Sequence, residues 1–433
     1  MLGDTGTSHL PRRYPAPLAR TLSKISFLLT LQDQAAVMQL FLLLCLALLS
    51  PQVATSRRFR AQKKQPKEPS TRDFAFDLYR ALASSSPTQN VFFSPLSVST
   101  ILAILSVGAR GNTQAQILEA LGFDPQHQAV AELHYSFRHL LVRLTRPGNG
   151  FKLSLGNALF IDDRLVVYSI FQLIIMTTYL ANIYSTHSGD PAAAQKQIND
   201  YLARQTQGKI VDLIQNLDST DIMVMVNYIF FKAKWEIGFN NRTTQDQDFY
   251  LTLEKKVQVP MMNHEDQYLY FLDRYLSCTV VGVPYEGNVT AYFILPNIGK
   301  MEQVENSLST KTLKKWTQTV RRRRLNLYLP KFSIEGSYHL EKIFPKLGIR
   351  DIFTQGADLS GISKYPNIQL SQMVHKAMVE VDESGTRAVS GTGTVFSFRS
   401  AYPNSRKITF NRPFLMAILE NMTTLFFGKV TQP

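Results

Sequence analysis

The sequence predicts an α+β fold, with one large domain from about residue 73 to the C-terminus. MVMVNYIFFKAKW (223–235) is β-branched, aromatic and apolar throughout, which is typical of a strand in the middle of a sheet. LNLYLPKF (325–332) alternates apolar and polar residues, as in a strand with one buried face. In NVFFSPLSVSTILAILSVG (90–108), Ser94–Pro95 marks the start of a helix that is apolar on most sides and therefore buried. Helices and strands are mixed without strict βαβ order, which indicates the α+β class.

Other stretches follow the same reasoning. FAFDLYRALA (74–83) has helical spacing of its apolar residues. TVVGVPY (279–285) and TAYFILP (290–296) predict a hairpin, and KITFNRPFLMAILENMTTLFFGKV (407–430) predicts two apolar strands around a turn. Because no Pro/Gly/Ser-rich linker and no internal repeat interrupts residues 73–433, we expect one large domain, or two that are tightly merged.

The N-terminal part predicts secretion. Residues 38–50 (MQLFLLLCLALLS) form an apolar run of signal-peptide length that is short for a membrane span. We expect a signal peptide over residues 38–55, a doubtful extension over 1–37 and a basic flexible tail over 56–72. The protein is then extracellular and has no transmembrane segment. A signal anchor that is never cleaved is the alternative.

The charge points to a polyanionic partner. The formal net charge is +14, and KTLKKWTQTVRRRR (311–324) concentrates positive charge in one segment. Helical spacing puts Lys311, Lys314, Lys315 and Arg322 on one face, and the patch is extended by Arg321, Arg323 and Arg324. We predict a glycosaminoglycan site, against the simpler interpretation of a solvated charged face. An extracellular address disfavours nucleic acid, although an RRRR run alone does not exclude it.

Two cysteines occur, and Cys45 lies in the signal run, so the mature chain keeps only Cys278. No intramolecular disulfide can form, and Cys278 is expected to be a buried, inert thiol. Sequons at Asn241 and Asn288 are predicted to carry glycans. Asn421 lies between two apolar runs and is expected to be partly buried and unmodified.

The segment ESGTRAVSGTGTVFSFRS (383–400) has the composition of a loop and the alternation of a strand. In a strand, alternate residues point to opposite faces. One face of this segment would carry Arg387, and the other would carry only small residues, which we call the small parity: Thr386, Ala388, Ser390, Thr392 and Thr394. The segment could therefore become a strand inside a sheet without burying its charge, which suggests a two-state element. An ordinary mobile surface loop is the alternative.

Several stretches resemble the serpin family, and the resemblance covers roughly residues 73–433. They are NVFFSPLSVS (90–99), LGNALF (155–160), INDYLARQTQGKI (198–210), VNYIFFKAKW (226–235), ADLSGIS (357–363), VHKAMVEVDESGT (374–386) and FNRPFL (410–415). Within the family the chain looks most similar to the α1-antitrypsin-like group. The resemblance implies a fold with a five-stranded main sheet, further sheets, surrounding helices and an exposed reactive loop over about 383–403.

The resemblance also implies a mechanism, in which a protease attacks the reactive loop and is trapped as an acyl-enzyme when the loop inserts. Carried over residue by residue, the reactive bond is Arg399–Ser400, and Phe396 and Phe398 fill neighbouring subsites. The hinge of the loop is Glu383, Ser384, Gly385, Thr386, Arg387 and Ala388. A basic residue at the attacked bond suits trypsin-like proteases, whose specificity pocket holds a carboxylate.

One departure and one cluster qualify this picture. Inhibitory family members favour alanine through the hinge, whereas this chain reads Ala388–Val389–Ser390–Gly391, and Gly391 weakens a strand by roughly 0.5–1 kcal/mol. Five residues match the family's sheet-opening cluster, with the tryptophan near the top of the insertion path: Ser94, Ser97, Asn227, His375 and Trp235. The related proteins further imply heparin, or another glycosaminoglycan, as an accelerating polyanion.

The rival functions are weaker. No G-x-S-x-G, H-E-x-x-H or C-x-x-C occurs, so we expect neither an enzyme nor a metal or cofactor. A non-inhibitory serpin that acts as a protease substrate or carries an apolar ligand is the main alternative. A structural or chaperone role is neither supported nor excluded. The expected partners are trypsin-like proteases of coagulation, fibrinolytic, kallikrein or sperm type, and the chain is expected to be a monomer.

Overall fold

The computed structural model describes residues 73–386, except 149 and 367, and residues 405–433. Its helices are α1 (Phe74–Ser85), α2 (Pro95–Gly108), α3 (Gly111–Ala120), α4 (Val130–Thr145), α5 (Ser169–Tyr179), α6 (Pro191–Gln205), α7 (Met301–Asn306) and α8 (Thr310–Thr319). Short 3-10 turns cover Asn241–Thr243, Leu340–Lys342, Phe344–Leu347 and Asp351–Phe353.

Fifteen strands lie within the described residues. They are β1 (Val91–Phe93), β2 (Phe151–Asp162), β3 (Asn182–Thr186), β4 (Met223–Lys234), β5 (Gln245–Tyr250), β6 (Lys256–Asp273), β7 (Cys278–Pro284), β8 (Val289–Pro296), β9 (Arg321–Pro330), β10 (Phe332–His339), β11 (Gln372–Val381), β12 (Gly385–Thr386), β13 (Arg406–Thr409), β14 (Phe414–Glu420) and β15 (Thr423–Val430).

The main sheet has the strand order β10-β11-β4-β2-β3, and the two-residue β12 pairs with β4 as a short sixth strand. β4 is antiparallel to β2 but parallel to β11. The expected five-stranded main sheet is therefore confirmed. The parallel junction between β4 and β11 lies beside β12.

The second sheet has the order β1-β15-β14-β8-β7-β6-β9-β13, with β5 paired to β6. β7 and β8 form the predicted hairpin, and β14 and β15 form the two predicted apolar strands around a turn. The α+β class is confirmed, because helices accompany two sheets whose strands do not alternate regularly with helices along the chain.

The predicted buried helix is α2. The hydroxyl of Ser94 accepts a hydrogen bond from the Ser97 backbone N–H at 3.1 Å, and Pro95 occupies the first turn, where its missing N–H costs nothing. Nearly every residue of α2 is buried, as its apolar composition predicted. The predicted helix at 74–83 corresponds to α1.

The basic segment departs from the prediction. α8 ends at Thr319, and the four arginines from Arg321 onward belong to β9. Arg322 therefore does not share a helical face with Lys311, Lys314 and Lys315. The physical reason is strand pairing: β9 pairs with β6 from Arg321, opposite Tyr270, to Pro330, opposite Met261. The leucines at 325, 327 and 329 are buried on one face, as predicted.

Two further expectations have clear outcomes. Cys278 is fully buried, and burial raises the pKa of its thiol to about 12, so the thiol stays protonated. Asn421, in contrast, is exposed, because it occupies the turn between β14 and β15 with a positive φ of 52°. The expectation that Asn421 is partly buried is wrong, since the apolar runs on either side pair with each other and leave the turn outside.

Candidate functional site

The site begins where β11 ends and the chain reverses direction. The Asp382 N–H donates to the Gly385 carbonyl at 2.9 Å, which closes a tight turn. Gly385 has a φ of +143°, and a Cβ there would lie 2.2 Å from the carbonyl oxygen of Ala233. Only glycine fits this position, which explains the hinge glycine in physical terms.

After the turn, the chain enters the space between β4 and β11. Gly385 pairs with Lys234 and Thr386 pairs with Ala233, both antiparallel. The backbone of the turn is held as well, since the Trp235 N–H donates to the Ser384 carbonyl at 3.0 Å. The first residues of the predicted reactive loop thus already form part of the main sheet.

Thr386 points into the protein. Its side chain has no exposed surface, and its Oγ1 lies 2.8 Å from the hydroxyl oxygen of Tyr285. Ala233, its cross-strand partner, is also buried on that side. The parity predicted to face inward is therefore inward at the one position of the set that the structure describes.

The side chain of Glu383 holds the turn in place. Its carboxylate accepts from Lys331 Nζ at 2.9 Å and from Thr244 Oγ1 at 2.9 Å. Burial alone would raise the pKa of this carboxyl, but the hydrogen bonds from Lys331 and Thr244 outweigh it, so the pKa of Glu383 is lowered. Sequence reasoning missed Lys331 and Thr244, because no local pattern links them to a turn so far along the chain.

Trp235 also belongs to this turn. Its indole N–H donates to the Asp382 carbonyl at 2.9 Å, and its ring stacks on Tyr285 with centroids 4.1 Å apart. The structure therefore brings Trp235 together with the hinge, and not with the four other residues of the predicted sheet-opening cluster.

Those four residues do meet, beneath the junction of β4 and β11. His375 and Asn227 are register partners on the two strands, and His375 Nδ1 lies 2.6 Å from Asn227 Oδ1. The Ser97 hydroxyl donates to Asn227 Oδ1 at 2.7 Å, and the Ser94 backbone N–H donates to His375 Nε2 at 3.1 Å. Asn157 of β2, which the sequence did not indicate, accepts from Asn227 Nδ2 at 2.7 Å.

These partners fix the state of His375. Asn227 Oδ1 can only accept and the Ser94 N–H can only donate, so Nδ1 carries the proton and Nε2 does not. Burial lowers the pKa of His375 to about 3, because removal from water disfavours the charged imidazolium. The cluster therefore holds the two strands together with neutral hydrogen bonds.

The seven predicted polyanion residues are all exposed and lie on α8 and on the first half of β9, a region that we call the basic surface. Three of the seven are paired with acids: Lys315 with Asp273 at 2.8 Å, Arg322 with Glu236 at 3.5 Å, and Arg324 with Glu265 at 2.9 Å. Within the part of the chain that the structure describes, the other four have no carboxylate partner: Lys311, Lys314, Arg321 and Arg323.

Two further cations adjoin this surface. β13 pairs with β9, which sets the exposed Arg406 opposite Leu325 and Lys407 opposite Asn326. The Arg406 guanidinium lies 5.4 Å from the centroid of Tyr270. The sequence offered only the pair Arg406–Lys407 far from the basic segment, so the neighbourhood could not be seen before strand pairing was known.

The structure describes the predicted glycan sites but not most of the predicted reactive loop. Asn241 and Asn288 are both exposed. Six predicted residues lie outside the described residues: Arg387, Ala388, Phe396, Phe398, Arg399 and Ser400. Among the described helices, none is long and apolar enough to cross a membrane.

Comparison with known proteins assigns the family. A family model described as "Serpin (serine protease inhibitor)" matches residues 69–433. The chain belongs to the serpin family. This serpin is 59% identical over 407 residues to the human "Plasma serine protease inhibitor", covering 92% of this chain and 100% of that one. The bovine protein of the same name is 58% identical, again covering 92% and 100%. Human thyroxine-binding globulin, solved in complex with thyroxine, matches with a TM-score of 0.80 at 38% identity, covering 84% of this chain and 98% of that one.

The expectation that the chain is simply not an enzyme is corrected by these findings. The relatives are named as inhibitors of serine proteases, and such serpins act as suicide inhibitors rather than catalysts.

Proposed function

We propose that this serpin is a secreted suicide-type inhibitor of trypsin-like serine proteases, attacked at Arg399–Ser400 and accelerated by heparin-like glycosaminoglycans. The observation that carries the proposal is β12, which already runs antiparallel to β4 at the top of the main sheet. The names of the human and bovine relatives include both "plasma" and "serine protease inhibitor", which supports secretion and the class of target.

The geometry suits loop insertion for a topological reason. β4 and β11 are parallel neighbours, so a strand that enters between them in the opposite direction is antiparallel to both. Insertion exchanges one ladder of hydrogen bonds for two. If the inserted strand continues the register of Thr386 with Ala233, the small residues of the loop face inward with Thr386.

The proposed chemistry is a trapped acyl transfer. The protease serine attacks the Arg399 carbonyl, the Arg399–Ser400 bond breaks, and the new amino group at Ser400 leaves with a proton. Arg399 remains bound to the protease as an ester. Insertion of the loop then drags the protease across the inhibitor and distorts the active site of the protease before water can hydrolyse the ester.

The basic surface supports the polyanion part. Four of its cations have no carboxylate partner among the described residues, which makes them available to sulfate groups. A sulfated chain that binds both inhibitor and protease raises their local concentration and therefore the rate of attack.

The test mixes the secreted chain with trypsin or thrombin, with and without heparin, and analyses the products on a denaturing gel. A covalent high-mass band is expected, formed faster with heparin. The band should disappear in Arg399→Ala and persist in the matched control Arg399→Lys, which keeps the cation.

Clean cleavage at Arg399 without such a band would overturn inhibition and favour the alternative of a non-inhibitory substrate or ligand carrier. Thyroxine-binding globulin, a carrier by its name, supports that alternative at the level of the fold.

A further inference from the structure

The turn between β14 and β15 presents an unassigned modification site. Asn421 and Met422 form its tip, and both are exposed. Asn421, Met422 and Thr423 read N-M-T, an acceptor sequence for N-linked glycans. The Asn421 backbone N–H donates to the Asn288 carbonyl at 3.2 Å, so two acceptor sequences lie side by side on neighbouring turns.

The side chain of Asn421 is compatible with a glycan in the folded state. Its Nδ2 donates one hydrogen to Glu420 Oε1 at 2.8 Å, which leaves the second hydrogen for replacement. In the transfer, Nδ2 attacks the anomeric carbon of a lipid-diphosphate-linked oligosaccharide. The N–C bond forms, the C–O bond to the diphosphate breaks, the diphosphate leaves with the electron pair, and the amide loses one proton.

The tip of the turn also touches the basic surface. Met422 Sδ lies 4.0 Å from Thr317 Oγ1 of α8. Thr317 is one turn from Lys314, whose backbone carbonyl accepts from the Thr317 hydroxyl at 3.1 Å. A branched oligosaccharide extends much further than the separation between these side chains.

We propose that Asn421 carries an N-linked glycan, and that this glycan covers the α8 end of the basic surface and weakens its binding to sulfated polysaccharide. The inference rests on the proposed function for its second half only. Its first half, the occupancy of Asn421, concerns the chain alone.

Occupancy is tested by secreting the full chain from mammalian cells, releasing glycans enzymatically in heavy-oxygen water and sequencing the peptides by mass spectrometry. We expect the label at Asn421 in a substantial fraction of the chains. An unlabelled Asn421 in secreted protein would overturn the proposal.

The effect on binding is tested with a matched pair in an Asn288→Gln background, so that the neighbouring glycan does not mask the difference. Thr423→Ala removes the acceptor sequence, whereas Thr423→Ser keeps it. Thr423→Ala should bind heparin severalfold more tightly and elute from immobilised heparin at higher salt. Equal elution of the Thr423→Ala and Thr423→Ser proteins would contradict the proposal.

A separate variant distinguishes this failure from failure of the proposed function. Lys314→Ala in the enzymatically deglycosylated chain should weaken heparin binding severalfold. If it does not, the polyanion part of the proposed function is wrong, and the covering role of the glycan is overturned with it. If it does while the Thr423 pair behaves alike, only the further inference is overturned.

Discussion

Thr386 is the one residue of the set predicted to face inward that the structure describes. Its side chain is buried against Tyr285, at the point where the loop enters the main sheet. An arginine there would have to leave a charge without a partner in the core, which costs several kcal/mol.

We therefore expect Thr386→Arg to convert the inhibitor into a substrate: cleavage at Arg399 continues while most of the covalent complex is lost. The matched control is Ser384→Arg, because Ser384 is exposed in the same turn. Densitometry of the complex and of the cleaved chain gives the ratio of the two outcomes. Undiminished complex from Thr386→Arg would contradict inward packing of this parity.

His375 makes the closed junction sensitive to pH. Its folded pKa of about 3 lies below the unfolded value of about 6.5, so the unfolded chain binds more protons at acid pH. The stability that neutral His375 contributes is complete above pH 6.5 and is lost as the pH falls towards 3. The free energy of unfolding then falls by at most about 1.4 kcal/mol per pH unit.

The expected result is a thermal midpoint that falls steeply between pH 6.5 and pH 4 in the wild-type chain and less steeply in His375→Gln. His134 and His264 also have lowered pKa values because of burial, so only the difference between the two proteins reports on His375. Parallel profiles in differential scanning calorimetry would show that His375 does not titrate in this way.

At the scale of elements, the two adjacent lysines of α8 have separate tasks. Lys315 neutralises Asp273, whose side chain is almost fully buried and also accepts from the Trp316 indole at 2.9 Å. Lys314 is exposed and has no carboxylate partner among the described residues.

Lys314→Ala should weaken heparin binding and leave the melting temperature unchanged, whereas Lys315→Ala should lower the free energy of unfolding by about 1–2 kcal/mol, because it strips a buried carboxylate of a partner. Heparin-affinity elution and thermal denaturation of both variants check this. The same loss of stability in both variants would show that the ion pair with Asp273 has no special weight.

The same elements show what the sequence can predict. Strand and helix types followed from local pattern: the apolar run of β4, the Ser94–Pro95 start of α2 and the alternation of β9 are all visible in neighbouring residues. The end of α8 was not, because lysine and arginine favour a helix and only the pairing of Arg321 with Tyr270 makes the arginines a strand. The anchors of the hinge were invisible for the same reason, since Lys331 and Glu383 meet only in the folded chain.

At the scale of the whole molecule, the native chain is a kinetic state if the loop inserts as proposed. An inserted loop would add a strand bonded on both sides, worth roughly ten hydrogen bonds at about 1 kcal/mol each. We expect the chain cleaved in the loop to melt at least roughly 10 °C above the intact chain. Thr386→Arg, cleaved in the same way, should show a much smaller rise. Equal melting temperatures of intact and cleaved wild-type protein, measured by calorimetry, would contradict insertion.

The parallel junction of β4 and β11 has one more consequence, which concerns concentration. If β4 and β11 separate, their edges accept an antiparallel segment by its backbone alone and do not distinguish the chain's own loop from that of a second molecule. Entry of the molecule's own loop is unimolecular, but entry from a neighbour grows with the amount of protein present. Such an exchange joins unlike surfaces and has no symmetry that closes it, so it propagates into linear chains. If the loop inserts as proposed, entry from a neighbouring molecule therefore competes with entry of the chain's own loop at high protein concentration.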